Sequence, residues 1–309
     1  MNVLSLFDGI SCGQVALERA GIKVENYYAS EIDKYAIAVT QYRYPKTSQE
    51  GNILGLRVGS LPKIDLLMGG SPCQGFSFAG KQLAFQDQRS KLFFEFMHIL
   101  RVTNPKYFLL ENVNMKKEYL DIITEYLGVE PIKINSSLVS AQNRIRYYWT
   151  NIPVEQPKDK GILLKDVLED GIHEKTGLYH LPHGFKQEKY EETTKYPSLH
   201  AQSPGNNHLI QVGEADLKGH ESIKRVYSPD GKAPTVTTMG GGNREPKIAL
   251  DKNKWRKLTP LECERLQTLP DNYTFIPWQK RMMSNTQRYK MIGNGWTVDV
   301  IAHILGGIK

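Results

Sequence analysis

Four side chains of this 309-residue sequence have the types and spacing to share one reaction: Cys73, Glu111, Arg144 and Arg146. Cys73 follows the apolar run Ile64 to Met68, in the segment Gly69-Gly70-Ser71-Pro72-Cys73-Gln74-Gly75. A thiol just past the carboxyl end of a strand, with a proline constraining the backbone before it, occupies a position suited to a nucleophile. Basic neighbours would favour its reactive thiolate. A lone cysteine is more often an inert core residue, so the neighbouring segments carry the argument. The next apolar run ends in Glu111-Asn112-Val113, which sets a carboxylate and an amide at the same rim. Gln142, Arg144 and Arg146 then alternate into Tyr147-Tyr148-Trp149, and on a strand they would share one face. A nucleophile, a carboxyl group and two fixed cations are the parts needed to attack an electron-poor centre and disperse the charge that develops.

A second group reads as a cofactor loop. Val3 to Phe7 runs into Asp8-Gly9-Ile10-Ser11-Cys12-Gly13 and then a helical pattern, so the glycines fall where backbone approaches a ligand at a helix start. Glu31 closes the next strand, about 20 residues on, where a carboxylate can bind ribose hydroxyls. The plainer alternative is a tight turn with Glu31 capping the helix that begins near Asp33. The loop lacks the three-glycine spacing of a nicotinamide site, which favours another adenosine-containing cofactor.

The elements that must hold these groups alternate along the first 150 residues. Strands are predicted at 3–7, 26–29, 64–68, 107–110 and 131–134, and helices at 14–20, 33–42, 90–102 and 115–127. That order predicts an α/β fold, a mostly parallel sheet covered by helices. From about Val154 to Leu250 the sequence is rich in Gly, Pro, Lys, Asn and Thr, with short strand-like pieces such as Ala233 to Thr238, and reads as an irregular inserted domain. The apolar spacing of Met291 to Ile308 predicts one helix that packs back on the first sheet. Residues 1–158 with 281–309 are thus expected to form one domain, and 159–280 the other.

Composition narrows the class. Apolar residues make up 40% and charged residues 24%, with 26 Gly and 16 Pro, which excludes collagen-like and disordered chains. No run of 18 apolar residues occurs and the N-terminus reads as a strand without a basic leader, so neither a membrane span nor a signal peptide is expected. The three cysteines are too few and scattered for a disulfide framework or zinc site. The net charge of +7 is compatible with a polyanionic partner.

Taken together, Phe7-Asp8-Gly9 with Gly13, Glu31, Pro72-Cys73-Gln74, Glu111-Asn112-Val113, Gln142-x-Arg144-x-Arg146, Arg256-x-Leu258-Thr259-x-x-Glu262-x-x-Arg265-Leu266-Gln267 and Gly293-Asn294 stand in a characteristic order. The chain resembles the S-adenosylmethionine-dependent cytosine-5 DNA methyltransferases, of bacterial or phage type, with some features of the animal de novo enzymes. The resemblance spans nearly the whole chain apart from about residues 155–230. It implies a Rossmann-like sheet with helices on both faces and a small inserted target-recognition domain.

The resemblance also implies roles. Cys73 would attack carbon 6 of a flipped-out cytosine, Glu111 would bind N3 and the amino group, Arg146 would contact O2, and Arg144 would help hold the nucleophile loop. Phe7, Asp8, Gly9, Gly13, Glu31, Ile32, Asn52, Ile53, Pro72, Leu92, Asn294 and Trp296 would line S-adenosylmethionine, leaving S-adenosylhomocysteine as product, with no metal. Asn52 stands where the family usually has Asp, and Trp296 where many members have Val; the first predicts weaker selectivity for the adenine amino group. Gln74, Ser77, Lys81 and Arg89, in a loop that closes over the base, and Arg244 in the inserted domain would contact duplex DNA. The implied protein is a cytoplasmic monomer of a bacterial or phage-infected cell, with a cognate restriction endonuclease as a candidate partner. Two alternatives stay open at this point: an RNA cytosine-5 methyltransferase, disfavoured by the nucleophile motif, and a catalytically silent DNA-binding regulator, disfavoured by the presence of all four catalytic side chains.

Overall fold

The computed structural model describes residues 1–71, 88–171, 176–180, 209–250 and 253–309. They form two compact units, 1–135 with 145–157 and 298–309, and 136–144 with 158–297.

The first unit is built on β1 (Asn2–Leu6), β2 (Asn26–Ser30), β3 (Ser48–Gln49), β4 (Leu66–Gly69), β5 (Tyr107–Val113), β6 (Ile132–Asn135) and β7 (Ile145–Thr150). They lie in the order β3-β2-β1-β4-β5-β7-β6. The first five pair in parallel, while β7 runs antiparallel to both β5 and β6. After β1 the chain builds outward through β2 and β3, then returns to the other side of β1 as β4. That reversal creates a switch point between β1 and β4, at whose carboxyl ends ligands bind in such sheets.

Strand alternation divides the side chains between two faces. Leu4, Leu6, Leu67, Phe108 and Leu110 enter one apolar core with Phe93, Phe96 and Ile99 of α3 (Gln88–Thr103) and Tyr119 and Ile123 of α4 (Lys117–Leu127). Their neighbours in sequence point the opposite way, where Met68 meets α1 (Cys12–Arg19). Helices therefore cover both faces. The spacing of Tyr119 and Ile123, one helical turn apart, is the periodicity that predicted α4, and left-handed Gly128 ends it by donating to Thr124 O. Asp33 caps α2 (Lys34–Arg43) by accepting from Tyr35 N.

The last helical stretch differs from the single helix expected over 291–308. It is two helices, α6 (Asn285–Asn294) in the second unit and α7 (Val298–Leu305) in the first. The break has a polar cause. Gln267 Nε2 donates to the carbonyls of Ile292, in the last turn of α6, and Gly295, just past it, at 2.9 and 3.1 Å, so a side chain takes acceptors that a further turn would use. In the first unit, α7 packs on α1, where Arg19 and Asp299 form an ion pair at 2.6 Å. The return to the sheet thus begins at Val298, whereas the sequence placed it at 281.

The inserted region is also more regular than its composition suggested. Strands β8 (Thr176–His180), β9 (Gln211–Ala215), β10 (Arg225–Tyr227), β11 (Lys247–Ala249) and β12 (Lys254–Lys257) close into a barrel in the order β10-β11-β12-β8-β9. Tyr179, Val212, Ala215, Val226, Ala249 and Trp255 fill it. Strands of three to five residues are too short to leave a clear alternating pattern, which is why the sequence read as irregular. Ala233 to Thr238, expected as a strand, contributes only an isolated bridge between Ala233 and Gln142. The helix α5 (Pro260–Leu266) follows β12 and opens with a capping box between Thr259 and Glu262.

Candidate active site

The carboxyl edge of the first sheet gathers the chemistry-bearing residues. β5 continues past the last residue of β4, since Gly69 pairs with Leu110, and so carries Glu111, Asn112 and Val113 beyond its neighbour. β7 begins beside this overhang, with Arg146 opposite Val113 and Tyr148 opposite Glu111. Glu111 and Arg146 consequently share a face, and Arg146 Nε lies 2.9 Å from Glu111 Oε1. The two side chains are 11% and 13% exposed, Glu111 and Arg146 respectively, so this ion pair is nearly enclosed. Asn112 points to the other face, where its Nδ2 approaches the Ser71 carbonyl at 3.4 Å and the Ser71 hydroxyl at 3.5 Å. The chain leaving β4 is thereby held against β5 two residues before Cys73. Pro72, Cys73, Gln74, Ser77 and Lys81 lie outside the described residues, as does the side chain of Arg89 in the first turn of α3.

Arg144 is placed differently from Arg146. The alternation of Gln142, Arg144 and Arg146 suggested one strand, but the strand starts at Ile145. In the second unit, Arg144 is 4% exposed, and its guanidinium donates to the carbonyls of Val236 and Gly295 at 3.0 Å each. Gln142 Oε1 accepts from Val236 N at 2.7 Å. Gln142 and Arg144 therefore clasp one residue between them, with Arg144 also holding the end of α6. Gly293 allows a close passage in the same place, since a Cβ there would lie 2.1 Å from Thr237 O. Asn294 ends α6 exposed, Trp296 is buried, and Arg244 is exposed.

In the first unit the loop after β1 carries the expected cofactor residues. Gly9 N donates to Glu31 Oε2 at 2.7 Å, and Glu31 Oε1 accepts from Ile32 N and Asp33 N at 2.7 and 2.8 Å. Glu31 thus fixes the start of the α2 segment, the plainer of the two readings, and also ties down the loop through Gly9 N. Three of the four acceptor positions of a carboxylate are used, which leaves one on Oε2 for a hydroxyl. Beside it Ile32 is 73% exposed and Leu54 47% exposed, an apolar edge suited to a purine. Asn52 Oδ1 accepts from Leu54 N at 3.1 Å and keeps one lone pair. Ile53 is 4% exposed and packs in the core, so its side chain is committed there. Phe7 and Leu92 are half-buried on the same core. These groups fit an adenosine-bearing ligand. Among the described residues no cluster is placed to hold a metal ion, and no helix is long and apolar enough to cross a membrane.

Asp8, under this loop, is the most perturbed acid of the site. Burial pushes its carboxyl up to about 6, while the hydroxyls of Ser11, Ser5 and Tyr27 pull it down and the charge of Glu31 raises it further. Because the folded value lies above the ordinary 3.8, Asp8 favours the fold at low pH, and that contribution is lost as the pH rises from about 4 through about 6. The contribution is about 3 kcal/mol. Urea unfolding of Asp8→Asn and the parent at pH 4 and pH 7 should therefore show the variant gaining up to about 3 kcal/mol relative to the parent across that interval; a constant difference would show that Asp8 titrates normally.

Sequence reasoning missed Tyr27, whose hydroxyl donates to Asp8 at 2.6 Å. Its alternation with the buried Ala29 on β2 would have placed it on the inner face. The roles of Gln267 and Glu262 were equally unassigned, because nothing in a linear motif tells which distant backbone it serves.

Comparison with known proteins agrees with this geometry. The family model of C-5 cytosine-specific DNA methylases matches residues 1–309. The chain is 30% identical to the type II methyltransferase M.NlaX of Neisseria lactamica, covering 100% of this chain and 96% of that protein. It is 29% identical to the type II methyltransferase M.HhaI of Haemophilus parahaemolyticus over 98% and 93% of the two chains, and 30% identical to the orphan methyltransferase M.SPBetaI of Bacillus phage SPbeta over 98% and 96%. The fold is similar to that of the S. pombe Dnmt2 methyltransferase, with a TM-score of 0.70 at 17% identity over 99% and 97% of the chains. A family match over residues 1–309 and relatives matched over nearly their whole length lead to one conclusion: the chain belongs to the C-5 cytosine-specific DNA methylase family and is a DNA cytosine-5 methyltransferase.

Proposed function

We propose that the protein methylates carbon 5 of a cytosine rotated out of a specific duplex DNA sequence, through a transient covalent bond between Cys73 and carbon 6. The observation that carries this reading is the Glu111–Arg146 pair at 2.9 Å, beside the Ser71 segment that Asn112 tethers and that leads directly into Cys73. S-adenosylmethionine, when bound, supplies an electrophilic methyl group on a sulfonium. The Cys73 thiolate adds to carbon 6, and the electron pair of the 5,6 double bond moves into the ring. Glu111, which must carry a proton to do so, donates to N3, where that charge collects, and accepts from the exocyclic amino group, while Arg146 holds Glu111 in place and reaches toward O2. Carbon 5 takes the methyl group, its proton then departs to solvent or a nearby base, and expulsion of the Cys73 thiolate restores the double bond. Rotating the base out costs a few kcal/mol, offset by contacts to the flipped nucleotide.

Glu31 with Ile32 binds the ribose and adenine, and the loop Phe7 to Gly13 lines the remaining cofactor. Residues 159–280 read the target, with Arg244 as a candidate contact; Arg to guanine is the commonest specific pair. Phosphate contacts make binding weaken with salt.

The test uses methyl-labelled S-adenosylmethionine with separate duplex DNA and RNA pools. Label should appear as 5-methylcytosine in DNA; label in RNA, or none in either, overturns the reading. Glu111→Gln should lower kcat by about 10²–10³-fold, the scale of losing one charge-stabilising group, with cofactor Kd within about twofold of the parent. An unchanged kcat would remove Glu111 from the reaction.

A further inference from the structure

The loop after β1 is built from backbone conformations that side chains resist. Phe7, Gly9 and Ser11 take φ values of 58°, 60° and 57°, and two of the three carry a Cβ that disfavours the left-handed region. Such strain persists only where the surroundings hold it.

Here the surroundings are a buried polar cluster beneath the loop. Asp8 Oδ1 accepts from the Tyr27 hydroxyl at 2.6 Å and Oδ2 from the Ser11 hydroxyl. Ser11 Oγ lies 3.1 Å from Thr40 Oγ1 and accepts from Gln14 Nε2, which also donates to Thr47 Oγ1 at 2.9 Å. Thr40 Oγ1 in turn donates to Gly9 O at 3.3 Å, and Gly9 N donates to Glu31. Tyr27 ties the Asp8 side chain to β2, the strand that leads into Glu31. It reaches Asp8 past Gly13, where a Cβ would lie 3.0 Å from the Tyr27 hydroxyl and 2.6 Å from Met68 Cε. The second glycine of the loop motif is thus also the gap through which a tyrosine grips the loop.

We propose that Tyr27 is a positioning residue for the methyl-donor site: through Asp8, its hydroxyl holds the Phe7–Ser11 loop and Glu31 in the geometry that receives S-adenosylmethionine. The inference rests on the cofactor site described under the proposed function. Tyr27 is 5% exposed and acts through Asp8, not on the reacting atoms. The titratable groups facing Asp8 among the described residues are Tyr27 of β2 and Glu31 beyond it; β1 presents the hydroxyl of Ser5, the start of α1 that of Ser11, and α2 that of Thr40 by way of Ser11. Removing the Tyr27 hydroxyl takes away one of the bonds that stabilise ionised Asp8, so its titration moves to higher pH.

In Tyr27→Phe, the Kd for S-adenosylmethionine, measured by calorimetry, and its KM should both rise about tenfold, the scale of losing a hydrogen bond to a charged group. At saturating cofactor, kcat should stay within about twofold of the parent. The pH at which Kd inflects should move upward. In an Asp8→Asn background, adding Tyr27→Phe should change Kd by less than about twofold, because the two side chains act as one unit. Gly13→Ala keeps the hydroxyl but crowds it; because Gly13 also belongs to the cofactor loop, its reading is the pH inflection of Kd, which should move upward, and it serves if Tyr27→Phe unfolds. A Tyr27→Phe protein that is folded by its unfolding midpoint and binds with the parent's Kd overturns the proposal. So does a fixed pH inflection in either variant, or full additivity in the double variant. A parent that does not bind S-adenosylmethionine overturns the cofactor site itself, a result distinct from failure of the Tyr27 inference.

Discussion

Cys73→Ala is expected to abolish methyl transfer, by roughly 10⁴-fold or more, the scale on which loss of a covalent nucleophile is felt. Carbon 5 of cytosine is too weak a nucleophile to accept a methyl group unless addition at carbon 6 first pushes electrons toward it. In the proposed mechanism Glu111 and Arg146 stabilise the resulting charge, but neither can create it. The substitution removes one sulfur and leaves the Glu31 site and the second unit untouched, so the Kd for S-adenosylmethionine and for duplex DNA should stay within about twofold. DNA carrying 5-fluorocytosine gives a sharper readout. Fluorine cannot leave as a cation, so the parent should stall as a covalent protein–DNA complex visible on a denaturing gel. That complex should be absent from Cys73→Ala, and its persistence would mean that another residue attacks carbon 6.

Glu262→Ala is expected to destabilise the second unit by about 3–5 kcal/mol, the cost of leaving a buried charge without its partner. Glu262 is fully buried and receives both terminal nitrogens of Arg256, at 2.7 and 2.8 Å. Its two oxygens also accept from Thr259 N and Glu169 N, at 2.8 Å each. The truncation would leave the Arg256 side chain, 2% exposed, with its charge uncompensated, and would orphan the backbone N–H groups of Thr259, at the start of α5, and of Glu169. Thermal unfolding should shift down by about 10 °C or more. Replacing both partners, Arg256→Met with Glu262→Leu, should recover the part of the loss that comes from the buried charge, since neither charge then remains, and leave the part that comes from the two unpaired N–H groups. A shift of a degree or two in the single variant would show that water reaches Arg256. Arg256 and Glu262 belong to a motif that carried the family resemblance without a stated task, and the structure gives it one: it fastens β12 to α5.

Much of the first unit was legible along the chain. Strands β1, β2, β4, β5 and β6 and helices α1 to α4 lie within a few residues of the predicted positions, because apolar residues at period two and period 3.6 record which face of each element is buried; the two-residue β3 was not predicted. Glu111 could likewise be placed at the rim from Tyr107 to Leu110 alone, since a carboxylate that ends an apolar strand emerges at its end. The barrel was not legible, as its strands are too short to show a period. The break between α6 and α7 was hidden for another reason: the apolar spacing runs through it, and the groups that end α6 come from Gln267 and Arg144, far away in the chain.

By itself, then, the sequence determined the mostly parallel sheet and the family, and it proposed the set of side chains for the chemistry, because all of these are written in local patterns and in motifs whose order is fixed by the chain. Only the tertiary structure decided how those side chains are divided. Arg146 pairs with Glu111 because the register of β7 against β5 sets them on one face, whereas Arg144, two residues earlier, precedes the strand and spends its donors on the carbonyls of Val236 and Gly295. Tyr27 holds Asp8 because Gly13 leaves room for it. A buried polar group takes whichever partner the fold brings within about 3 Å, and that partner is set by long-range packing, which no local stretch of sequence records.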